Sequence, residues 1–285
     1  MNIDDPCVND ELALPTISGF KNGDIPSADE LDISGEYSKT ITENFGVSLG
    51  ETWVHLNEPG GGNHAGFDNL ETSFKYQFVK DASAEFAMSA SIDVDWGGTG
   101  SSSIGAESFT TLTPTLFIGQ GFGFLPDLVK YFKPFAVTAQ LGYSIPTESS
   151  TAEIDVVTGL LTTTPNPRFF NWGGSLQYSL LYLKSSVQDL GLPAFVNRLV
   201  PLVEWNLSTQ VSDLDGGEST TGTINPGVIY VADKYQVGVE AIVPVNRASG
   251  DGVGVIGQLH LYLDDIFPNS IGSPLFGAES KPSGQ

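Results

Sequence analysis

The side chains of this chain best suited to chemistry are carboxylates, and they recur at every second position of long alternating segments. Asp93 and Asp95 share one set of alternate positions with Ala87, Ser89 and Ser91, while Phe86, Met88, Ile92, Val94 and Trp96 occupy the other. Successive side chains of an extended strand point to opposite faces, so this stretch has an apolar face ending in aromatics and a wet face bearing acids. Across the other alternating segments the wet face carries Glu36, Glu71, Lys75, Glu85, Gln140, Gln177, Glu204, Asn206, Glu240, Gln258 and His260. Isolated carboxylates among Gln, Asn, Ser and Thr lower the local potential and concentrate cations. They do not make a nucleophile. No serine sits in a nucleophile elbow, and three histidines leave little material for a triad, so the chain is expected not to be an enzyme and to need no cofactor.

Other motifs weaken on inspection. His55, His64 and Glu58 flank a Gly-rich stretch and could in principle hold a metal, but such side chains on a loop read more simply as solvated. Asp213, Asp215 and Glu218 lack the twelve-residue spacing of a calcium loop. Gly252-Val253-Gly254-Val255-Ile256-Gly257 matches the dinucleotide pattern, yet it follows a loop and opens an alternating strand instead of a helix. No metal site is expected. The single cysteine, Cys7, excludes an internal disulfide.

Composition narrows the setting in which these faces exist. Of 285 residues only 16% are charged, below the roughly 25% usual in soluble domains, yet 34 acids against 12 bases give a net charge of −22. Nucleic acid is therefore not an expected partner. No run of about eighteen apolar residues supplies a membrane-crossing helix, and the start lacks a basic-then-apolar leader, so an exported protein would have had its signal peptide removed.

The elements that position the carboxylates are strands. Eleven are read directly: 32–41, 45–56, 67–79, 84–96, 109–119, 135–145, 169–183, 199–210, 222–231, 235–245 and 253–264. Tight turns at 42–44, 80–82 and 233–234 alternate with long loops at 57–65, 97–107, 146–167, 212–220 and 246–252. Two connections on the short side, 125–132 and 190–199, read as small amphipathic helices lying at a membrane surface, or else as a helical plug or a packed turn. An even strand count requires one more strand before Asp32, and Glu11–Ser18 is the candidate; Pro15 suits it to an edge or closing position.

About ten amphipathic strands with alternating short and long connections imply an all-β transmembrane antiparallel up-and-down barrel of about twelve strands. Short turns face the periplasm and longer loops the exterior. Trp96, Tyr143, Trp172, Tyr182, Trp205 and Tyr235 lie toward strand ends, where membrane-interface aromatics belong. In a soluble sandwich, the weaker alternative, the polar face would be outside and rich in charges of both signs. The expected organisation is an N-terminal segment, 1–30, supplying a first strand or a plug, a barrel over 31–267, and a periplasmic tail over 268–285. The function this implies is an outer-membrane pore passing small solutes with mild cation preference. Its partners would be outer-membrane lipid and the solutes themselves. The alternative is a non-conducting structural or partner-binding barrel.

Three strings carry a family resemblance: Lys133-Pro134-Phe135-Ala136-Val137-Thr138 through Gly142-Tyr143-Ser144-Ile145-Pro146, then Asn225-Pro226-Gly227-Val228-Ile229, then His260-Leu261-Tyr262-Leu263-Asp264-Asp265-Ile266-Phe267-Pro268. In these the chain resembles bacterial outer-membrane barrel transporters of the type linked to phenol and aromatic degradation (the MetA-pathway type). The resemblance implies passage of small hydrophobic or aromatic solutes and supplies no site residues. Many outer-membrane barrels end on an aromatic residue; this chain continues to Gln285, so Phe267 or Phe276 is the candidate for that role.

Overall fold

In a computed structural model, the structure describes residues 1, 3–23, 27–154, 160–213 and 220–276. Its strands in chain order are β1 Glu11–Lys21, β2 Asp29–Thr42, β3 Phe45–Glu58, β4 Gly62–Phe67, β5 Leu70–Asp81 and β6 Phe86–Trp96. There follow β7 Thr111–Gly121, β8 Phe135–Pro146, β9 Ser150–Ile154, β10 Leu161–Pro165 and β11 Phe169–Tyr178. The last four are β12 Leu199–Gln210, β13 Thr220–Val231, β14 Tyr235–Pro244 and β15 Gly254–Tyr262.

Neighbours in sequence pair antiparallel around one sheet, which closes because β1 lies between β2 and β15. Leaving aside the short β4, which extends the β3 edge, and the separate β9–β10 hairpin, twelve strands form the ring. Closure leaves no unpaired strand edge, which an open sheet in lipid could not tolerate. The first strand is the one that closes the ring. Its pairing with both neighbours shifts register between Ala13 and Thr16, a bulge that takes up Pro15 where an amide donor would otherwise be missing.

The period-two pattern sorts the faces as alternation requires. Leu49, Phe74, Tyr76, Ile92, Leu141, Val237, Val239 and Val255 are exposed apolar residues on the outside of the wall. Tight turns at 43–44 and 233–234 join β2 to β3 and β13 to β14 on one rim, which also carries the longer connections 122–134 and 179–198, while the remaining long connections lie on the opposite rim. Among the described residues no helix is long and apolar enough to cross a membrane, so strands alone provide the span.

Several elements differ from the periodicity. The Gly-rich stretch read as a loop over 57–64 is largely a hairpin: Trp53–Glu58 pairs with β4, and Gly60 turns the chain at φ 80°. Part of the 146–167 loop is the β9–β10 hairpin. The strand expected to run to Leu183 ends at Tyr178, where Leu180-Leu181-Tyr182-Leu183 breaks the alternation; Ser179 then caps a helical turn by accepting from the Tyr182 amide. On the same rim, 125–132 contains the 3-10 turn Asp127–Phe132, and 190–199 contains only the short turn Val196–Arg198. Phe195 stacks on Tyr230 at 5.1 Å between ring centroids. Residues 268–276 pack back on β2, where the Leu275 and Phe276 amides donate to the carbonyls of Thr40 and Ile41.

Candidate functional site: the inner wall of the barrel

Inward-facing positions of adjacent strands meet in cross-strand pairs, and their polar side chains link into a belt. Ser73 Oγ (2.5 Å), Ser91 Oγ (2.9 Å) and Thr115 Oγ1 (3.0 Å) all donate to the Asp93 carboxylate, tying β5, β6 and β7 together. Ser144 Oγ bonds Thr113 Oγ1 at 2.9 Å and accepts from Asn171 Nδ2 at 2.7 Å; Asn171 Oδ1 in turn accepts from Ser208 Oγ at 2.8 Å. Thr138 and Ser175 hydroxyls meet at 2.6 Å. On the closing side, Ser18 Oγ donates to Asp32 at 3.2 Å, Ser38 Oγ to Glu36 at 3.2 Å and Gln258 Nε2 to Thr16 Oγ1 at 2.9 Å. His260 Nε2 lies 2.8 Å from Glu11 Oε2, and its Nδ1 lies 3.3 Å from Gln236 Nε2. Such networks satisfy polar groups that the wall has withdrawn from bulk water.

Of the residues picked out by alternation, Glu71 pairs across to Asp95 and Gly50, and Asn206 to Thr223 and Gly173. Gln177 pairs to Leu202 and Ala136. Glu204 sits opposite Asn225, and Glu240 opposite Gly227; Glu204, Asn225 and Glu240 are all buried. Glu36 and Glu71 remain exposed on the same wall.

Two residues stand elsewhere. Glu85 lies before β6 begins, in the turn after β5, with a left-handed φ of 51°. There it accepts from the Gly123 amide at 2.9 Å and from Tyr182 Oη at 3.3 Å. Chain reversal, not alternation, therefore sets the direction of its side chain. Tyr182 is likewise in the helical turn beyond β11 and not on a strand. Of the other aromatics, Trp96 Nε1 donates to Thr72 Oγ1 at 2.9 Å and Trp172 Nε1 to Thr209 Oγ1 at 3.3 Å on the outer face. Tyr143 pairs directly with Phe170, Tyr235 opens β14, and Trp205 lies mid-strand against Gly174. His55 stacks on Trp53 at 6.0 Å. Asp215 and Glu218 lie outside the described residues.

What alternation did not point to is the contact of Met1 and residues 3–10 with this wall, made in part at Lys75, Gln140 and Glu204, which it had picked out. Met1, Ile3, Pro6 and Val8 occupy the places where Cβ atoms would stand at Gly238, Gly173, Gly119 and Gly46. The Asp4 amide donates to Gln140 Oε1 at 3.3 Å, and its carboxylate pairs with Lys75. Lys75 Nζ also donates to the Asp5 carbonyl at 3.1 Å and lies 4.6 Å from the centre of the Phe117 ring. Gln77 Nε2 donates to the Pro6 carbonyl at 3.0 Å, and the Met1 amino group lies 3.4 Å from Glu204 Oε1. At the far end Asp10 Oδ1 accepts from Lys39 Nζ at 2.7 Å and from the Thr40 amide at 2.8 Å. The sequence signal was present but silent: glycines inside strands mark close approach of another chain segment, without saying which.

No family model and no curated protein matches this chain. Solved structures do. The NanC porin superposes with a TM-score of 0.50 over 87% of this chain and 98% of its own, at 9% identity. The β-domain of the Bordetella autotransporter BrkA gives 0.52 over 90% and 99%, at 12% identity. The fold is that of an outer-membrane β-barrel. At these identities the likeness extends to the fold alone, and the phenol-degradation resemblance gains nothing from it.

Proposed function

We propose that this chain is an outer-membrane pore for small solutes with a mild preference for cations. The observation that carries it is a closed twelve-strand wall, apolar outside and hydrogen-bonding inside, whose inner face away from the rims holds, among the described residues, many carboxylates and one lysine, Lys75. Fixed negative charge in a confined aqueous path raises the local concentration of cations. Glu36 and Glu71, exposed on that wall, are the groups best placed to act on passing ions, with Asp93, Asp95, Glu204 and Glu240 contributing to the field. The family resemblance extends the proposal to hydrophobic or aromatic solutes; liposomes carrying the protein would admit phenol-sized solutes faster than sugars of similar mass.

Planar-bilayer conductance in a salt gradient tests the pore. The expected reversal potential has the sign of cation preference, and the Glu71→Gln, Glu204→Gln double variant moves it toward zero by several millivolts. Anion preference in the wild type would refute the acidic-wall argument. A second reading, a non-conducting barrel, draws on the occupation of the inner wall by Met1 and residues 3–10, and absence of conductance under all conditions would favour it.

A further inference from the structure

Met1 and residues 3–10 do not lie at random in the barrel. Met1 sits against β14, Ile3 against β11, Asp4 on Gln140 of β8, Pro6 against β7 and Gln77 of β5, Val8 against β3, and Asp10 on β2. That is the order of these strands around the sheet, so the segment crosses the inner wall through most of the ring. Its apolar side chains drop into positions where the wall is glycine. A Cβ at Gly46 would stand 2.8 Å from Val8 Cγ1, one at Gly119 would stand 2.8 Å from Pro6 Cγ, and one at Gly173 would stand 2.7 Å from Ile3 Cδ1. Glycine weakens a strand and is kept there when something must approach closely. Four such positions on four strands, all reached by one segment, make a built groove, although at Gly173 the Trp205 carbonyl oxygen of β12 stands equally close, at 2.6 Å.

The segment is held firmly at its ends, where the Met1 amino group meets Glu204 and Asp10 meets Lys39, and more loosely between them. It takes no part in the barrel's strand pairing, and its main chain reaches the wall chiefly through side chains of Gln140, Lys75 and Gln77. Asp4 and Asp5 bring further negative charge to a wall that already carries Glu36, Glu71, Glu204 and Glu240. Lys75 opposes them near the middle through Asp4, whose side chain is 58% exposed, and the Met1 amino group opposes Glu204 at the end of the segment. Lys75 itself is 13% exposed, so the pair is worth somewhat more than a fully exposed one, which contributes about 0–1 kcal/mol.

We propose that Met1 and residues 3–10 are a gate: seated in the glycine groove they obstruct the barrel, and they leave it together, on release from Lys75, to open it. This rests on the pore reading above.

The test uses the full chain. A Cβ at Gly46 would stand 3.9 Å from Val8 Cβ, within the span of a disulfide, so Val8→Cys with Gly46→Cys in a Cys7→Ser background can lock the segment in place. The oxidised protein is expected to be silent in a planar bilayer, with conductance appearing on addition of reductant. In parallel, the native Cys7 reports release. Burial and the neighbouring Asp5 push the seated thiol up to about 12, and only a thiolate reacts readily, so a methanethiosulfonate reagent labels it slowly until the segment leaves. Lys75→Met is expected to speed that labelling about tenfold, the equivalent of a latch worth about 1.4 kcal/mol.

Equal conductance in the oxidised and reduced states would overturn the gate and leave the pore standing. Cys7 that stays unlabelled in wild type and in Lys75→Met, with no conductance on reduction, would mean a permanent filling and overturn the gate as well. Cys7 that labels rapidly while the reduced protein never conducts would sink the pore reading, and the gate with it.

Discussion

Asp93 is the most connected acid of the inner wall, accepting from hydroxyls on three strands. Replacing it by alanine strands Ser73, Ser91 and Thr115 hydroxyls together, and buried donors without acceptors cost about 1–3 kcal/mol each in the limit where no water replaces the lost partner. Urea unfolding of Asp93→Ala in lipid is therefore expected to show a midpoint clearly below wild type. Asp93→Asn, which retains one acceptor oxygen, should lie between them. Glu71 is different in kind: it is exposed on the wall, so Glu71→Gln should alter ion preference while leaving the unfolding midpoint near wild type.

Pairing between strands depends on close main-chain approach at a few points. A Cβ at Gly227 would stand 2.5 Å from the Val239 carbonyl oxygen and 2.9 Å from Glu240 Cα, so neither backbone nor neighbour has room. Gly227→Val should destabilise the barrel by roughly 1–3 kcal/mol and raise amide exchange along β13 and β14 before other strands. At the short-turn rim the Lys133 ammonium donates to Asp127 at 2.7 Å and holds that carboxyl below its ordinary value. A carboxyl depressed by folding contributes stability above its unfolded pKa and loses it as the pH falls through the folded one. This pair is open to water, so Lys133→Met should return the Asp127 titration, followed by NMR, to the ordinary carboxylate range without moving the unfolding midpoint at pH 7.

For the molecule as a whole, β1 is the joint. It pairs with β2 on one side and β15 on the other, and without it both would present unpaired edges to lipid. Removing residues 1–21 is expected to abolish the compact, heat-modifiable form that the intact barrel should show in cold electrophoresis. A lock on residues 1–10 alone leaves that form intact and acts only on conductance. The two outcomes separate the wall from the segment that crosses it.

Alternation of apolar and polar residues was enough to infer a closed barrel, because a period of two is a local property that each strand displays independently. Phe86–Trp96 announces both its faces without help from its neighbours. Parity also placed a first strand near Glu11, although Pro15 argued against a regular one and only the bulge at Ala13–Thr16 accommodates it. The limits of the pattern lie where periodicity stops. Glu85 reads as a strand residue and is a turn residue because the chain reverses there, and the glycines at 57–64 read as a loop and belong to a hairpin. The seat of Met1 and residues 3–10 was invisible for a further reason: Gly46, Gly119, Gly173 and Gly238 are spread over nearly two hundred residues, and the absence of a side chain has no meaning until another segment fills the space. The sequence by itself determined which face of each strand meets lipid, since that depends on near neighbours; tertiary structure alone decided what occupies the space the strands enclose, since that depends on which distant positions closure brings together.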